Sequence, residues 1–229
     1  MDASVASVVL LQPLQYAFAQ CQDRLVTYPQ YEPSKDKLTI FAISDLSRPL
    51  QGSATWQWFD FSGKPLAPAQ NATFTTQPIN TAILSTTLNV STFSFLPAGV
   101  KKDNAWLRVR VQSNDGTLVN EASWTLPGTL ATAPLQDPKL VLTRPSSGAG
   151  GGWTIKNTGS GTAAHVVLEP PESVLGWFED ARAKTARPSN VFWLNPGESK
   201  ELRYVVKFDR TQGAWVDGVR VRSVWDIAH

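Results

Sequence analysis

The sequence predicts an all-β protein made of two tandem immunoglobulin-like antiparallel β-sandwiches. Three features support this: short segments with alternating apolar and polar residues, tight turns between them, and a proline-rich break near the middle. The clearest alternation follows the turn Asn195-Pro196-Gly197-Glu198, whose proline and glycine suit a tight reversal. One face of the expected strand then carries Leu202, Tyr204, Val206 and Phe208. Such a strand packs its apolar face against a second sheet.

The first half of the chain contains about seven short strand patterns, the number typical of an immunoglobulin-type sandwich. The expected strands cover residues 25–28, 37–43, 54–61, 73–76, 83–90, 106–112 and 118–126. In the sixth of these, Leu107, Val109 and Val111 are expected to face inward and the intervening arginines to face solvent. Ser62-Gly63 and Asn114-Asp115-Gly116 have the composition of hairpin turns.

A stretch rich in proline, threonine and small residues divides the chain. We assign residues 1–20 to an N-terminal extension or remnant, 21–128 to the first sandwich, 129–138 to a linker and 139–229 to the second sandwich. The second half repeats the strand pattern at residues 140–144, 153–157, 163–169, 192–194, 202–208 and 219–225, with a glycine-rich hairpin loop at 148–152. Residues 174–187 are expected to form a short helix or an ordered loop, because Phe178, Ala181 and Arg182 fall at helical spacing.

Composition and charge argue against several classes of function. The formal net charge is only +2, from 21 basic and 19 acidic residues, and no long run of one sign occurs. A nucleic-acid partner or a membrane partner is therefore not expected. Cys21 is the only cysteine, which excludes an intrachain disulfide and a thiolate metal cluster. Two histidines, His165 and His229, are too few for a zinc site, so neither a metal nor another cofactor is expected.

The N-terminal segment has two interpretations. Residues 5–11 are apolar and Ala17-Phe18-Ala19 resembles a signal cleavage site, but Asp2 and Pro13 do not fit a signal peptide. The alternative is a short helical remnant that leads into the first strand. Two glycosylation sequons begin at Asn71 and Asn89, and together they favour an extracellular, secreted protein. We also expect an exposed apolar patch at residues 5–18, where a missing neighbour would pack.

Nine tryptophans are the feature most open to a functional interpretation. Exposed indole rings could stack on sugar rings, whereas buried rings fill a core, which is the default because each buries about 150–250 Å². Trp124, Trp153 and Trp193 lie in apolar strand patterns that suit a core. The candidates for carbohydrate contact are Trp177 and Trp215, which lie in loop-like sequence, and Trp58, which shares a strand face with Trp56.

Catalytic patterns are weak. Asn120-Glu121 resembles the acid/base pair of retaining glycosidases, but it lies inside an alternating strand without a second carboxylate motif. The sequence has no Gly-x-Ser-x-Gly elbow, and the glycine-rich loop at 148–152 lacks the lysine of a phosphate-binding loop. His165 lies in a strand pattern and is expected to be structural.

Two sets of motifs resemble β-mannosidase-type enzymes of glycoside hydrolase family 2. Residues 37–46 (KLTIFAISDL), Pro49-Leu50-Gln51-Gly52 and residues 58–66 (WFDFSGKPL) are similar to the first sandwich after the catalytic barrel, with Ser44-Asp45 in place of the usual Asn-Asp pair. Residues 155–159 and 189–198 (SNVFWLNPGE) are similar to the C-terminal immunoglobulin-like domain, with serine in place of its first signature aspartate. The resemblance covers roughly residues 14–229.

The resemblance implies a non-catalytic pair of accessory domains that supports a catalytic barrel, attached covalently or bound in trans, in carbohydrate metabolism. The catalytic glutamates of the family lie on barrel strands, so they have no matching positions in this chain and no catalytic residue is expected. Related exo-glucosaminidases share these domains, which leaves mannoside and glucosaminide contexts both open. The alternatives are a stand-alone carbohydrate-binding or adhesion module that contacts an oligosaccharide or polysaccharide through exposed tryptophans, and a plain fibronectin-like spacer.

Overall fold

A computed structural model describes residues 24–88, 96–144, 152–183 and 189–228. The described chain forms two compact units, whose boundary lies between Leu135 and Gln136. Its fourteen strands pair only in antiparallel sheets, and its helices are a few residues long. The all-β prediction is confirmed. The N-terminal extension, the expected apolar patch at 5–18, Cys21, Asn89 and the glycine-rich loop at 148–151 lie outside the described residues.

The first domain contains seven strands in two sheets. The strands are β1 (Leu25–Glu32), β2 (Lys37–Ser44), β3 (Leu50–Phe59), β4 (Gln70–Thr76), β5 (Asn80–Leu88), β6 (Trp106–Ser113) and β7 (Val119–Trp124). One sheet has the order β1-β2-β5 and the other the order β4-β3-β6-β7. Single turns of 3₁₀ helix occupy Pro33–Lys35 and Lys102–Asn104, and a four-residue helix α1 covers Thr129–Thr132.

The expected strand faces and hairpins of this domain are present. Leu107, Val109 and Val111 of β6 are fully buried in the core, as the alternation predicts. Gly63 adopts a positive φ in the turn after β3, and its backbone N–H donates to the Asp60 carbonyl. In the β6–β7 hairpin the Asp115 carboxylate accepts hydrogen bonds from the Ser113 hydroxyl and from Thr117. β3 begins at Leu50 rather than at residue 54, because residues 50–52 pair with β4 instead of forming a turn.

The second domain also contains seven strands in two sheets. The strands are β8 (Leu140–Thr143), β9 (Trp153–Asn157), β10 (Ala163–Glu169), β11 (Val174–Asp180), β12 (Val191–Leu194), β13 (Ser199–Asp209) and β14 (Arg220–Arg222). The sheets have the orders β12-β10-β14 and β11-β13-β9-β8. A 3₁₀ turn covers Ala214–Gly218, and a short helix α2 covers Val224–Ala228, so residues 219–225 are not one strand as expected.

The prediction of a helix or loop at 174–187 is wrong for its first half. β11 pairs with β13 along its whole length. Val174 and Phe178 of β11 are buried in the core and lie an even number of residues apart, as the period of a strand requires, whereas Ala181 and Arg182 of the supposed helical spacing lie beyond the end of β11. The backbone pairing with β13 identifies this segment as a strand. The residue pattern within the segment alone does not.

The apolar face of β13 is buried only in its first half, as Leu202 and Tyr204, while Val206 and Phe208 are exposed. For Phe208 the cause is a β-bulge: Leu175 of β11 pairs with Phe208, but the next residue of β11, Gly176, pairs with Val206. Lys207 is therefore an extra residue without a partner on β11. A bulge of one residue reverses which face the following side chains occupy.

The core of the second domain is built around stacked aromatic rings. The ring centroids of Trp153 and Trp215 lie 5.8 Å apart with planes inclined by 26°. Phe178 meets Trp153 edge-on at 5.7 Å, and Tyr204 lies 4.7 Å from both Phe178 and Trp215. Such offset and edge-on contacts add to the area that the rings bury.

Candidate functional site

The described residues contain no group of three histidine, cysteine, aspartate or glutamate side chains placed to hold a metal ion. Nor does any helix in the described part of the chain have the length and apolarity needed to cross a membrane. Glu121 lies on β7 with its carboxylate 3.7 Å from Nε of Arg108 on the neighbouring strand β6. Glu121 therefore forms an ion pair across two strands, in agreement with the strand pattern around Asn120-Glu121.

Trp58 lies in the core of the first domain, beside a cavity of about 220 Å³. It is 8% exposed and meets Trp124 edge-on at 6.2 Å. The cavity wall also includes Trp56, whose Nε1 donates to the Gln70 side chain at 2.9 Å, together with Leu38 and Ile40. Ligand pockets usually measure about 300–1,000 Å³, so this cavity is small for a sugar ring with its hydroxyl partners. The position of Trp58 favours a packing role.

Trp215 is 2% exposed, and this burial corrects the expectation that its loop-like sequence leaves the ring at the surface. The residue lies in the 3₁₀ turn Ala214–Gly218, which directs the indole onto Trp153. Tyr204 packs against the same ring, and burial raises the pKa of its phenol to about 12. Trp215 therefore completes the aromatic core and presents no ring face to a ligand.

Trp177 is the one candidate of the three that lies at a surface. It is a half-buried residue of strand β11, not of a loop. Register pairs Trp177 with Val205 and Leu175 with Phe208 across the β11–β13 ladder. These four side chains project from the side of the sheet opposite to the core, and we call them the β11–β13 face. Leu175 is 65% exposed and Phe208 is 54% exposed.

A buried carboxylate orients Trp177. Glu179 is only 4% exposed although it lies on the outer side of the sheet. Its Oε1 accepts a hydrogen bond from Trp177 Nε1 at 2.9 Å, and its Oε2 lies 2.7 Å from an Nη of Arg203. The indole and the guanidinium thus cover the carboxylate and satisfy it, which burial of a charge requires. The indole of Trp177 is held in one orientation before any partner arrives.

Two cations lie over the aromatic rings of the β11–β13 face. Nζ of Lys207 is 4.8 Å from the centroid of the Trp177 ring, and Cζ of Arg210 is 5.4 Å from the centroid of Phe208. Both distances are within the range of cation–π attraction. Hydrophobic alternation does not predict this arrangement, because it does not reveal the bulge at Lys207.

The structure describes the asparagine of only one of the two glycosylation sequons. Asn71 lies on strand β4 with an exposed side chain whose Oδ1 accepts a hydrogen bond from the Thr55 hydroxyl at 2.8 Å. Its amide nitrogen, the atom to which a glycan would be attached, belongs to this exposed group. Asn89 lies outside the described residues.

Family models match both halves of the chain in order. A model described as a mannosidase Ig/CBM-like domain matches residues 36–127, and the Ig_mannosidase model, described as an Ig-fold domain, matches residues 135–227. The resemblance seen in the sequence is thereby confirmed.

Relatives and solved structures agree with the family models. β-Mannosidase A of Aspergillus terreus is 29% identical over 93% of this chain, and that of Aspergillus aculeatus is 31% identical over 89%. The chain spans about a fifth of the length of these curated relatives, 22% and 21%. The fold is also similar to parts of an Amycolatopsis orientalis exo-chitosanase (TM-score 0.57, 16% identity, 89% of this chain and 26% of that one) and of a Dictyoglomus thermophilum β-D-mannosidase (0.52, 15%, 90% and 22%).

Proposed function

Since the chain belongs to the immunoglobulin-like domains of β-mannosidase-type enzymes, we propose that it supplies an accessory domain pair that stabilises the catalytic domain of such a hydrolase. The observation that carries this proposal is the match of both family models, in order, over residues 36–127 and 135–227. Nearly four-fifths of the length of the A. terreus relative lies outside the matched region, which has room for a catalytic barrel. The substrate would be a β-mannoside, or a glucosaminide if the exo-chitosanase is the better guide.

The architecture suits a support role. Each domain has its own buried core, and the second packs four aromatic rings together in its core. Interfaces between domains of one chain typically bury about 600–1,500 Å², an area that a sheet face can provide. A rigid sandwich that buries one face of a barrel would slow local opening of that barrel.

The test uses A. terreus β-mannosidase A from which the region matching this chain has been deleted. We expect the purified chain alone to show no turnover of p-nitrophenyl β-mannoside. Added to the shortened relative, or fused to it, the chain should bind and lengthen the half-life of that relative's activity at raised temperature. Turnover by the chain alone would contradict the proposal, and so would an unchanged half-life together with no binding.

The second candidate is carbohydrate binding at Trp177, which is favoured by its half-exposed ring on a sheet face. Tryptophan fluorescence titrated with mannan or chitosan oligomers tests it. A saturable shift that Trp177→Ala abolishes and Tyr28→Ala retains would support sugar binding, because Tyr28 is an exposed aromatic residue of the first domain.

We further propose that the protein is secreted, since Asn71 is an exposed sequon asparagine. Expression in a fungal host should yield a glycosylated product in the medium. Removal of N-glycans should then lower its mass, and Asn71→Gln should lower the mass of the secreted protein by one glycan. An intracellular product without glycans would contradict the proposal.

A further inference from the structure

The β11–β13 face is formed by an irregularity in strand pairing, the β-bulge at Lys207. The bulge at Lys207 turns Phe208 from the core side, where alternation would place it, to the outer side beside Leu175. Gly176 makes the bulge possible, because a Cβ there would lie 2.1 Å from the Val205 carbonyl oxygen. Bulges re-aim side chains at sheet surfaces and are built features of a fold. The large apolar side chain of Phe208 is thereby moved from the core side to solvent, where it lies beside Leu175.

The face has the composition of a binding surface. Aromatic residues and arginine are over-represented among the residues that dominate binding energy, and their effect is larger when they are held in place before binding. Trp177 and Arg203 meet this condition, because the buried carboxylate of Glu179 holds both.

The charge on the face is complementary to an acidic partner. Lys207 and Arg210 lie over the rings of Trp177 and Phe208, and within the described chain neither of them forms an ion pair. Two carboxylates of the same strand pair are already engaged: Glu179 holds Arg203, and Asp209 accepts hydrogen bonds from Thr211 and Gly213. An arriving carboxylate would therefore find two cations available.

We propose that the β11–β13 face docks onto an apolar, carboxylate-rimmed surface of the catalytic domain of a β-mannosidase-type hydrolase. This inference rests on the proposed function and specifies which surface performs it. A protein fits better than a sugar, because the exposed aliphatic side chain of Leu175 offers nothing to hydroxyl groups and Lys207 covers one face of the Trp177 ring. The relatives supply the partner, since domains of this type make up about a fifth of their length.

The experiment compares variants of the full chain in binding to the shortened A. terreus β-mannosidase A. Phe208→Glu places a like charge against the expected acidic rim, and the double variant Lys207→Glu with Arg210→Glu reverses the two cations. The matched control is Val141→Glu, because Val141 is 49% exposed on the outer side of the same sheet but on the far edge strand β8. We expect the face variants to weaken binding about tenfold or more, the size of a hot-spot loss, and the control to leave binding unchanged.

A second measurement covers the case in which the shortened relative does not fold. The chain replaces the matching region in the complete relative, and the thermal midpoint of this chimera is measured beside that of the isolated chain. The face variants should lower the midpoint of the chimera while leaving that of the isolated chain unchanged.

Each outcome decides between distinct conclusions. If the wild-type chain binds or stabilises and the face variants do so equally well, the docking face is wrong while the proposed function stands. If the wild-type chain does neither, both fail. Sedimentation of the isolated chain as a dimer that Phe208→Glu dissociates would overturn the proposal in favour of self-association. A sugar-induced fluorescence shift lost in Trp177→Ala would overturn it in favour of carbohydrate binding.

Discussion

Asn157 connects two turns at the end of strand β9, and its replacement provides a strict test of how the second domain is held together. The side chain is fully buried. Its Nδ2 donates to the carbonyl of Gly161 at 2.8 Å and to the carbonyl of Leu194 at 2.9 Å, while its Oδ1 accepts from the Gly159 backbone at 3.1 Å. One amide thus ties the turn after β9 to the end of β12.

Asn157→Ala removes both donors and leaves two carbonyl oxygens without the amide. Each buried polar group that loses its partner costs about 1–3 kcal/mol, so we expect the free energy of unfolding of this domain to fall by about 2–5 kcal/mol. The Gly159 N–H keeps a hydrogen-bond partner in this variant, because it also donates to the Pro138 carbonyl at 2.8 Å. Asn157→Asp should be at least as damaging, since it places a carboxylate beside the same two carbonyl oxygens.

The assay must report on one domain, because a chain with two cores need not unfold in a single step. Native-state hydrogen exchange of the β9 and β13 amides across a urea series gives that free energy directly. Lys156→Ala is the control: Lys156 lies one residue earlier on the exposed side of β9 and should change stability by less than about 0.5 kcal/mol. A loss below about 1 kcal/mol for Asn157→Ala would refute the reasoning, because it would mean that the carbonyls find other partners at no cost.

Three further predictions address single contacts. Gly176→Ala should destabilise the second domain by about 1–3 kcal/mol, because its Cβ would overlap the Val205 carbonyl oxygen. Tyr204→Phe should stabilise the same domain by about 1 kcal/mol in urea unfolding, because the buried phenol has no hydrogen-bond partner among the described residues. Hydrogen bonds from Ser113 and Thr117 lower the pKa of Asp115 to about 2, below the ordinary 3.8. Asp115 therefore stabilises the first domain above pH 4, and that contribution disappears as the pH falls towards 2, so Asp115→Asn should flatten this part of the acid-unfolding curve.

Each of these predictions has a contradicting result. Unchanged exchange rates at β11 in Gly176→Ala would show that the strands separate without cost. A loss of stability in Tyr204→Phe would show that the phenol makes a contact worth more than its desolvation. An unaltered slope between pH 4 and pH 2 in Asp115→Asn would mean that the carboxyl titrates alike in the folded and unfolded chain.

The sequence was a good guide wherever one local signal determined the structure. Proline and glycine at Asn195-Pro196-Gly197-Glu198 require a turn, and in the structure Gly197 has a positive φ while the Glu198 carboxylate accepts from the Asn195 backbone at 2.8 Å. Alternation likewise predicted the buried face of β6. At 174–187 the spacing of Phe178, Ala181 and Arg182 suggested a helix, and only the pairing with β13 shows that residues 174–180 form a strand. For the candidate site, the loop-like sequence around Trp215 concealed that the ring folds back onto the core.

The β11–β13 face shows why a surface of this kind cannot be predicted from hydrophobic alternation. Alternation assigns successive side chains of a strand to opposite faces of the sheet. One unpaired residue therefore reverses the predicted face of every side chain after it. Lys207 is that residue, and it moves Phe208 from the expected core to the surface beside Leu175. The buried carboxylate of Glu179 depends on the same pairing, because Arg203 reaches it only across the β11–β13 ladder. The fold follows from patterns within single strands, whereas this face follows from the register between two strands.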